Sequence, residues 1–399
     1  MRLVFVADGR SPIALNWIRN FTAGNHEVHL ASLYPCRPEL ELASLTLLPS
    51  LLKRFTPDQP GGISHEGASF RGGFQRLLPV GLRTALRQWL VPMRLQPAAE
   101  ELRNLLKKVK PDLVHAMRIP YEGMAAALAE PDQPLVTSVW GNDFTLHAGA
   151  NAWMAGSTRL CMARTTALHT DCQRDQRLAR QWGFADGKPA VVLPGGGGVQ
   201  LDVFFPAGVG TSTTNNLPKM QAINPRGMRA YVRNDVFFQA VQQVGERLPA
   251  AAFICTGMAG DPQAERWVRD LGLQDKVELL PQQSRSQMAE LFRCSAVSVS
   301  PSMHDGTPNT LLEAMACGCF PVAGDIESLR EWITPGVNGD LVDPGNPEAL
   351  AEAIINALLD PALRARAGRI NRELIAGRAD YRKVMPQAEY FYRSVIQGA

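Results

Sequence analysis

The sequence predicts an α/β protein made of two doubly wound, Rossmann-like domains facing across a cleft. Three observations carry that expectation. A chain of 399 residues exceeds one ordinary core, and 45% hydrophobic with 20% charged residues is the composition of a folded chain. Short apolar runs alternate with helical patterns in both halves, as parallel sheets covered by helices require. A polar, glycine-rich stretch separates the two alternating halves. The net charge of +3 is too small to imply nucleic-acid binding by itself.

In the first half, apolar runs at 3–7, 28–31, 113–116, 135–139 and 190–193 read as strands. Several are apolar on consecutive positions, as strands covered on both faces should be. Helical patterns lie between some of them, at 98–108 and 172–182. At 194–218 the chain reads PGGGGVQLDVFFPAGVGTSTTNNLP, a linker signal. A glycine-rich segment also suits phosphate, but no helical pattern follows this one, so that fingerprint is incomplete.

The second half repeats the alternation. Strands are expected at 252–256, 277–280, 296–300 and 320–323, and helices at 235–248, 261–271, 286–292 and 310–317. Three helical patterns near 347–358, 361–376 and 382–396 end the chain. The expected division is a first domain over 1–195, a linker over 196–218 and a second domain over 219–381. Ligands of such domains bind at the carboxyl ends of the strands.

Seven cysteines without a C-x-x-C pair read as small buried residues of a reducing compartment; Cys317 and Cys319 flank one glycine with no matching second pair for zinc. The five-residue apolar run before Asp8 is a first strand rather than a secretory signal. No apolar run nears the roughly 18 residues of a membrane span. The expected location is the cytoplasm, with any membrane contact peripheral. One segment bears on that contact. Between Glu66 and Glu100 there is no acidic residue, while Arg71, Arg76, Arg83, Arg87 and Arg94 interleave with Phe74, Leu77, Leu78, Leu82, Leu86, Trp89 and Leu90. Such a segment suits an anionic membrane surface, or packs its apolar stripe on the core with solvated arginines.

The richest stretch is 300–324, SPSMHDGTPNTLLEAMACGCFPVAG. It follows an apolar strand and leads into the next one. Asp305 and Glu313 stand eight positions apart, with Gly306-Thr307-Pro308-Asn309-Thr310 between them and a helix start at Asn309 or Thr310. Carboxylates accept bonds from sugar hydroxyls, and turn amides with a helix N-terminus face phosphates. Two structural readings compete. Thr310-x-x-Glu313 matches a capping box, and Asp305-Gly306 is a common turn pair.

The pattern D-G-T-P-N-T-L-L-E-A-M-A-C-G-C-F-P-V resembles the acidic-x7-acidic signature of glycosyltransferase family 4, whose fold is GT-B. The resemblance extends to 192–206 (strand, Pro, Gly-rich turn, Phe-x-Pro), to 136–143 (VTSVWGND), to 111–116 (PDLVHA) and to 331–343 with its Gly336-Val337-Asn338-Gly339. The family turn is altered here: Asp305 stands for Glu, Thr307-Pro308 for Phe-Gly, and Trp140 where His is frequent.

That resemblance implies a nucleotide-diphosphate sugar as co-substrate, with Glu313 on the ribose hydroxyls and Asp305 on the transferred sugar. It implies contact of Gly306 and the Thr307, Pro308, Asn309, Thr310 and Leu311 backbone with sugar and diphosphate. The family's Arg and Lys clamp corresponds to NPRGMRAYVRN at 224–234, with Arg233 nearest the Lys position, Arg226 the better candidate for the Arg position and Arg229 second. Guanidinium binds phosphate as a bidentate fork. His115 is placed near the donor sugar, although a lone histidine at a strand end is equally a packed residue; the family's frequent second histidine is Met117 here. Arg10, Trp140, Asn142 and Arg118 fall on the acceptor side. The C-terminal helix, about 382–399, is expected to pack back on the first domain.

No Asp-x-Asp occurs, so no metal or other cofactor is expected; arginines and a helix N-terminus would neutralise the leaving diphosphate. The resemblance implies retention of configuration, a glycan or lipid-linked acceptor, and a setting in bacterial surface-polysaccharide synthesis. Two other readings stay open at this stage: a nucleotide-sugar epimerase of the same architecture, and an inactive partner subunit of that fold.

Overall fold

A computed structural model describes residues 1–50, 80–207, 220–229 and 231–398, with the backbone alone at 80–84. The chain divides into two compact units. One comprises Met1–Gly196 with Gln387–Ala399, the other Gly197–Pro386.

In the first unit the order is β1 (Arg2–Val6), α1 (Pro12–Ala23), β2 (Glu27–Ser32), β3 (Ser44–Leu47), α2 (Val80–Leu90), α3 (Gln96–Val109), β4 (Leu113–Ala116), α4 (Met124–Ala129), β5 (Leu135–Val139), α5 (Ala152–Arg164), β6 (Ala167–Thr170), α6 (Gln173–Gln181) and β7 (Ala190–Val192). The seven strands are parallel in the order β3-β2-β1-β4-β5-β6-β7. β4, β5 and β6 are buried along their whole length, so their polar His115, Thr137, Ser138 and His169 are enclosed along with the apolar residues. α1 starts where Ser11 accepts from the Ala14 amide and Pro12 fills the first turn.

The second unit runs β8 (Gln221–Asn224), α7 (Asn234–Arg247), β9 (Ala252–Thr256), α8 (Pro262–Asp270), β10 (Val277–Leu280), α9 (Arg285–Cys294), β11 (Val297–Ser300), α10 (Asn309–Ala316), β12 (Phe320–Gly324), β13 (Asp340–Val342), α11 (Pro347–Leu359) and α12 (Pro361–Arg378). Its six parallel strands take the order β10-β9-β8-β11-β12-β13. In both sheets the chain winds one way from its first strand and then returns to the other side of it. The switch points therefore lie between β1 and β4 and between β8 and β11, where strand-end loops part and leave room for ligand.

Helix α13 (Tyr381–Gln397) begins in the second unit and ends in the first, with Pro386 inside it. Its Tyr392 is fully buried in the first unit, stacked on Phe21 at 4.8 Å between ring centroids.

Part of the stretch read as a linker is packed structure. Residues 208–219 lie outside the described residues, but Val199 pairs with Asp380 as an isolated bridge and Phe204 is fully buried in the second unit. The glycines there serve close approach. Gly198 has φ +93°, and a Cβ on it would stand 2.3 Å from the Ala379 carbonyl oxygen.

Candidate functional site

At the switch point of the second unit, the loop after β8 meets the loop after β11. Arg226 forks onto both sides of it. Nη2 donates to Asp305 Oδ2 at 2.5 Å and Nη1 to the Thr310 hydroxyl at 3.1 Å. Both partners of the ion pair are largely buried, at 6% and 13% side-chain exposure. The loop that carries Arg226 is held from below by two buried asparagines. Asn224 Oδ1 accepts from the Arg226 amide at 3.1 Å, Asn224 Nδ2 donates to Asn234 Oδ1 at 3.1 Å, and Asn234 Nδ2 donates to the Gly227 carbonyl at 3.0 Å. Arg226, Asp305 and Thr310 are thus brought together, and a small pocket beside them is lined by Pro225, Ser298, Ser300, Thr310 and Leu311.

Two further arginines of that loop face other ways. Arg233 folds back on Asp235 in the first turn of α7, Nη2 to Oδ2 at 2.7 Å, while its backbone amide donates to the Pro301 carbonyl at 3.2 Å. Arg229 donates to the Arg226 carbonyl at 2.9 Å and the Tyr231 hydroxyl at 2.9 Å. Among the described residues, the hydrogen bonds and ion pairs of Asp305 and Glu313 include neither of these arginines.

Glu313 is half-buried on α10, in the second half of the helix's first turn and a half. The capping box that Thr310-x-x-Glu313 offered as a competing reading does not form. Pro308 occupies the cap position without a side-chain bond, and the Thr310 hydroxyl is turned to Arg226. Neither Asn309 nor Thr310 caps the helix, because both already lie within it. Burial pushes the Glu313 carboxyl up to about 7, opposed by Arg285. Gly306 and Thr307 shape the turn before α10. The Thr307 hydroxyl points inward to accept from Trp332 Nε1 at 2.9 Å, and Ser328 donates to the Asp305 carbonyl at 2.7 Å. The Pro308 carbonyl accepts from the Leu311 amide at 3.0 Å, closing the first turn of α10.

The first unit collects a second set of polar groups around its own switch point. Asp8, after β1, holds Arg10 through Nε at 2.9 Å and Nη2 at 2.9 Å, and Arg10 lies 4.1 Å above the Tyr34 ring. The loops after β4 and β5 are tied by one fully buried carboxylate. Asp143 accepts from Arg118 Nη2 at 2.9 Å, the Ile119 amide at 3.1 Å and the Trp140 amide at 3.1 Å. Arg118 also reaches Asn142 Oδ1 at 3.4 Å and lies 5.7 Å from the Trp140 ring centroid. Arg10, Arg118, Trp140 and Asn142 therefore all stand at strand ends of one sheet.

His115 does not join them. It is fully buried in β4, and both ring nitrogens are engaged, Nδ1 by the Tyr392 hydroxyl and Nε2 by Ser138 Oγ at 2.7 Å. The reading of His115 as a donor-sugar contact is corrected on that ground: no ring nitrogen is offered to a ligand. The directions of the surrounding bonds follow from one fixed end. His169 Nε2 faces the Leu193 carbonyl at 2.9 Å and must donate, so His169 Nδ1 accepts from Ser138, 2.7 Å away. Ser138 Oγ then accepts from His115 Nε2–H, and His115 Nδ1 accepts from Tyr392, whose oxygen accepts from Trp17 Nε1 at 2.9 Å. The relay satisfies every member with both histidines neutral.

Asp143, Glu122, Tyr121, Asn224 and Asn234 were not singled out as site residues from sequence. Asp143 closes the VTSVWGND segment, and that was its one signal. Among the described residues a metal-type grouping exists at Asp171, Cys172 and Asp175, away from Asp305 in the chain. Arg174 donates to Asp175 Oδ1 there at 2.9 Å, which already supplies a countercharge.

Comparison with known proteins identifies the class. The model for glycosyl transferases group 1 matches residues 224–374, and that for the glycosyl transferase 4-like domain matches 9–196. The chain belongs to this family of GT-B glycosyltransferases, as the two halves of the sequence match its two domain models. Among curated relatives, it is 25% identical over 275 residues to a D-inositol 3-phosphate glycosyltransferase of Nocardiopsis dassonvillei, covering 64% of this chain and 58% of that protein. It is 28% identical over 271 residues to the protein of that name from Streptomyces avermitilis, covering 64% and 55% respectively. The aligned part thus spans little more than half the length of these relatives.

The fold matches sucrose-phosphate synthase from Thermosynechococcus elongatus with a TM-score of 0.76 at 16% identity, over 100% of both chains. It also matches Anabaena Alr3699/HepE, solved with UDP and glucose, with a TM-score of 0.71 at 15% identity, over 99% of this chain and 100% of that one.

Proposed function

We propose that this protein transfers a sugar, with retention, from a nucleotide-diphosphate sugar held by the second unit to a hydroxyl of a glycan or lipid-linked acceptor. The observation that carries the reading is the Arg226–Asp305–Thr310 junction at the second switch point, with Glu313 three residues beyond Thr310 on α10. Glu313 accepts from the ribose hydroxyls. Asp305, fixed by Arg226, accepts from hydroxyls of the transferred sugar. As the bond from the anomeric carbon to the diphosphate oxygen breaks, Arg226 and the N-terminus of α10 stabilise the charge that develops. The acceptor oxygen bonds to the anomeric carbon from the same face, and its proton passes to the departing phosphate. No protein base and no metal ion are required. Arg233 contributes by exchanging Asp235 for a diphosphate oxygen. Glu313→Ala is expected to weaken donor binding about 10- to 100-fold, as loss of charge-assisted bonds implies. Calorimetry with a panel of nucleotide sugars, UDP-glucose included, checks this; unchanged affinity for every donor bound removes Glu313 from the site. In the same panel, epimerisation without an acceptor would instead support an epimerase, for which the buried Glu122 of the first unit is a suitable acid.

The acceptor is proposed to be met at a membrane surface, as surface-polysaccharide assembly requires. No helix among the described residues is long and apolar enough to cross a membrane. On α2 and the turn after it, Leu86, Trp89, Leu90 and Met93 are exposed beside the exposed Arg94. Of the other arginines, Arg87 is half-buried, while Arg71 and Arg76 and the side chain of Arg83 lie outside what is described. Flotation with anionic vesicles at low salt is expected to retain the protein, and replacing Trp89 and Leu90 by Ser should release it. Failure to float with the wild-type chain sinks the membrane assignment.

A further inference from the structure

The carboxyl ends of the first-unit strands hold groups that sugar-nucleotide chemistry leaves unused. Among the described residues, buried polar atoms without a hydrogen-bond partner include Arg87 Nε, Arg118 Nε, Tyr121 OH, Glu122 Oε2 and Trp140 Nε1. Tyr121 and Glu122 are 5% and 2% exposed, so water does not satisfy them cheaply. Their loop is also strained. Tyr121 has φ +74° and ψ −55°, a conformation that costs a non-glycine residue on the order of 1–3 kcal/mol and gathers at functional sites. It is pinned by the Gly123 amide donating to the Arg118 carbonyl at 2.8 Å. A Cβ at Gly123 would stand 2.9 Å from that carbonyl and from Cys161 Sγ, so the turn cannot relax by substitution.

Charge points to what would satisfy the cluster. Asp8 compensates Arg10, and Asp143 compensates Arg118. Arg87, reaching in from α2, has a buried Nε and acts on Tyr34 and Tyr121, with no ion pair among the described residues. Glu122 does not balance it at neutral pH, because burial, reinforced by Asp8 and Asp143 against Arg118, holds its carboxyl up to about 8. The groups facing Glu122 are thus Asp8 after β1, Tyr34 after β2, Arg118 after β4 and Asp143 after β5. One positive charge is left over.

We propose that these strand ends form an anion site for a phosphate carried by the acceptor, with Arg87 as its countercharge, Arg118 Nε and the Tyr121 hydroxyl as donors, and Glu122 as a carboxyl that competes with the anion once ionised. Only the word acceptor rests on the transferase reading; the anion site stands on the first unit alone. The phosphate is a monoester or a diphosphate, from a soluble molecule or a lipid headgroup. The full chain is titrated with inorganic pyrophosphate at pH 7 and pH 9. Two classes of binding are expected, one lost in Arg226→Gln and the other weakened at least tenfold in Arg87→Gln and in Tyr121→Phe, a variant that keeps its ring. The Arg87-dependent class weakens about tenfold from pH 7 to pH 9, and Glu122→Gln abolishes that dependence. Glycerol phosphate and vesicles carrying phosphatidic acid then distinguish the sources, Arg87-dependent binding in either supporting the site. If Arg226→Gln removes all pyrophosphate binding, or if Arg87→Gln and Tyr121→Phe both bind as the wild type does, the site is overturned while the donor reading stands. If Arg226→Gln changes nothing and Arg87→Gln does, the donor reading fails and this site remains.

Discussion

Arg226→Ala is expected to lower kcat/KM for sugar transfer by about 10²–10³-fold, the usual cost of removing one preorganised charge stabiliser. It is also expected to cost about 3–5 kcal/mol of stability, because Asp305 would be left largely buried without its partner. The two effects separate in a double variant. Arg226→Met with Asp305→Leu removes both charges, so much of the stability should return while transfer stays lost. Initial rates with the donor that binds, and thermal melts of the three proteins, give the comparison. Transfer within about threefold of wild type in Arg226→Ala would leave Arg226 as a packing residue, and the pair would then be purely structural.

The second large effect concerns the buried relay from Trp17 to Leu193. Ser138→Ala leaves almost no cavity, but it strands the His115 Nε2–H and the His169 Nδ1 lone pair. The expected loss is about 2–5 kcal/mol, from two buried polar groups left unmet. Stability should also fall with acid. Burial holds His115 well below its usual value of 6.5 and His169 at about 4. Unfolded histidines take up protons as pH drops below about 6.5, while the folded relay has no place for them. Stability is therefore present above pH 6.5 and is lost progressively toward pH 4, by up to about 2.7 kcal/mol per pH unit for two protons. Denaturant unfolding at pH 7.5, 6 and 5 measures both. A flat pH profile together with a loss under about 0.5 kcal/mol in Ser138→Ala would contradict the tautomer assignment. Because Tyr392 lies on α13, the same relay fastens the end of the chain to the first sheet.

Much of the scaffold was legible because burial on both faces writes itself as consecutive apolar residues. β5, β9 and β10 fall where the apolar runs predict them. Strands β6 and β8 escaped that reading for one physical reason. They read ALHT and QAIN, and their buried His169 and Asn224 are polar groups whose cost is met by tertiary partners invisible in sequence. The strands that escaped thus carry His169 of the relay and the support of Arg226, while β4 and β5, which supply His115 and Ser138 to the same relay, were read as strands. The helices α1 and α5 were missed as well, and the edge strands β3 and β13, with their four and three residues, are too short for a periodic signal.

The sequence by itself determined the two α/β units, the family, and a cluster of residues around Asp305 and Glu313 suited to sugar and phosphate. Local pattern suffices there, because an apolar strand, a turn and a helix entry are contiguous in the chain. Only the tertiary structure decided which loops meet. Strand order puts β8 beside β11 and β1 beside β4. The first pairing joins Arg226 to Asp305 across 79 positions, and the strand-end loops of the other sheet are joined when Asp143 takes Arg118 across 25. The same folding removed His115 from consideration and turned Thr310 from a cap into a partner of Arg226. Hydrogen bonds and ion pairs depend on distances of about 3 Å, and strand order, not sequence separation, sets those.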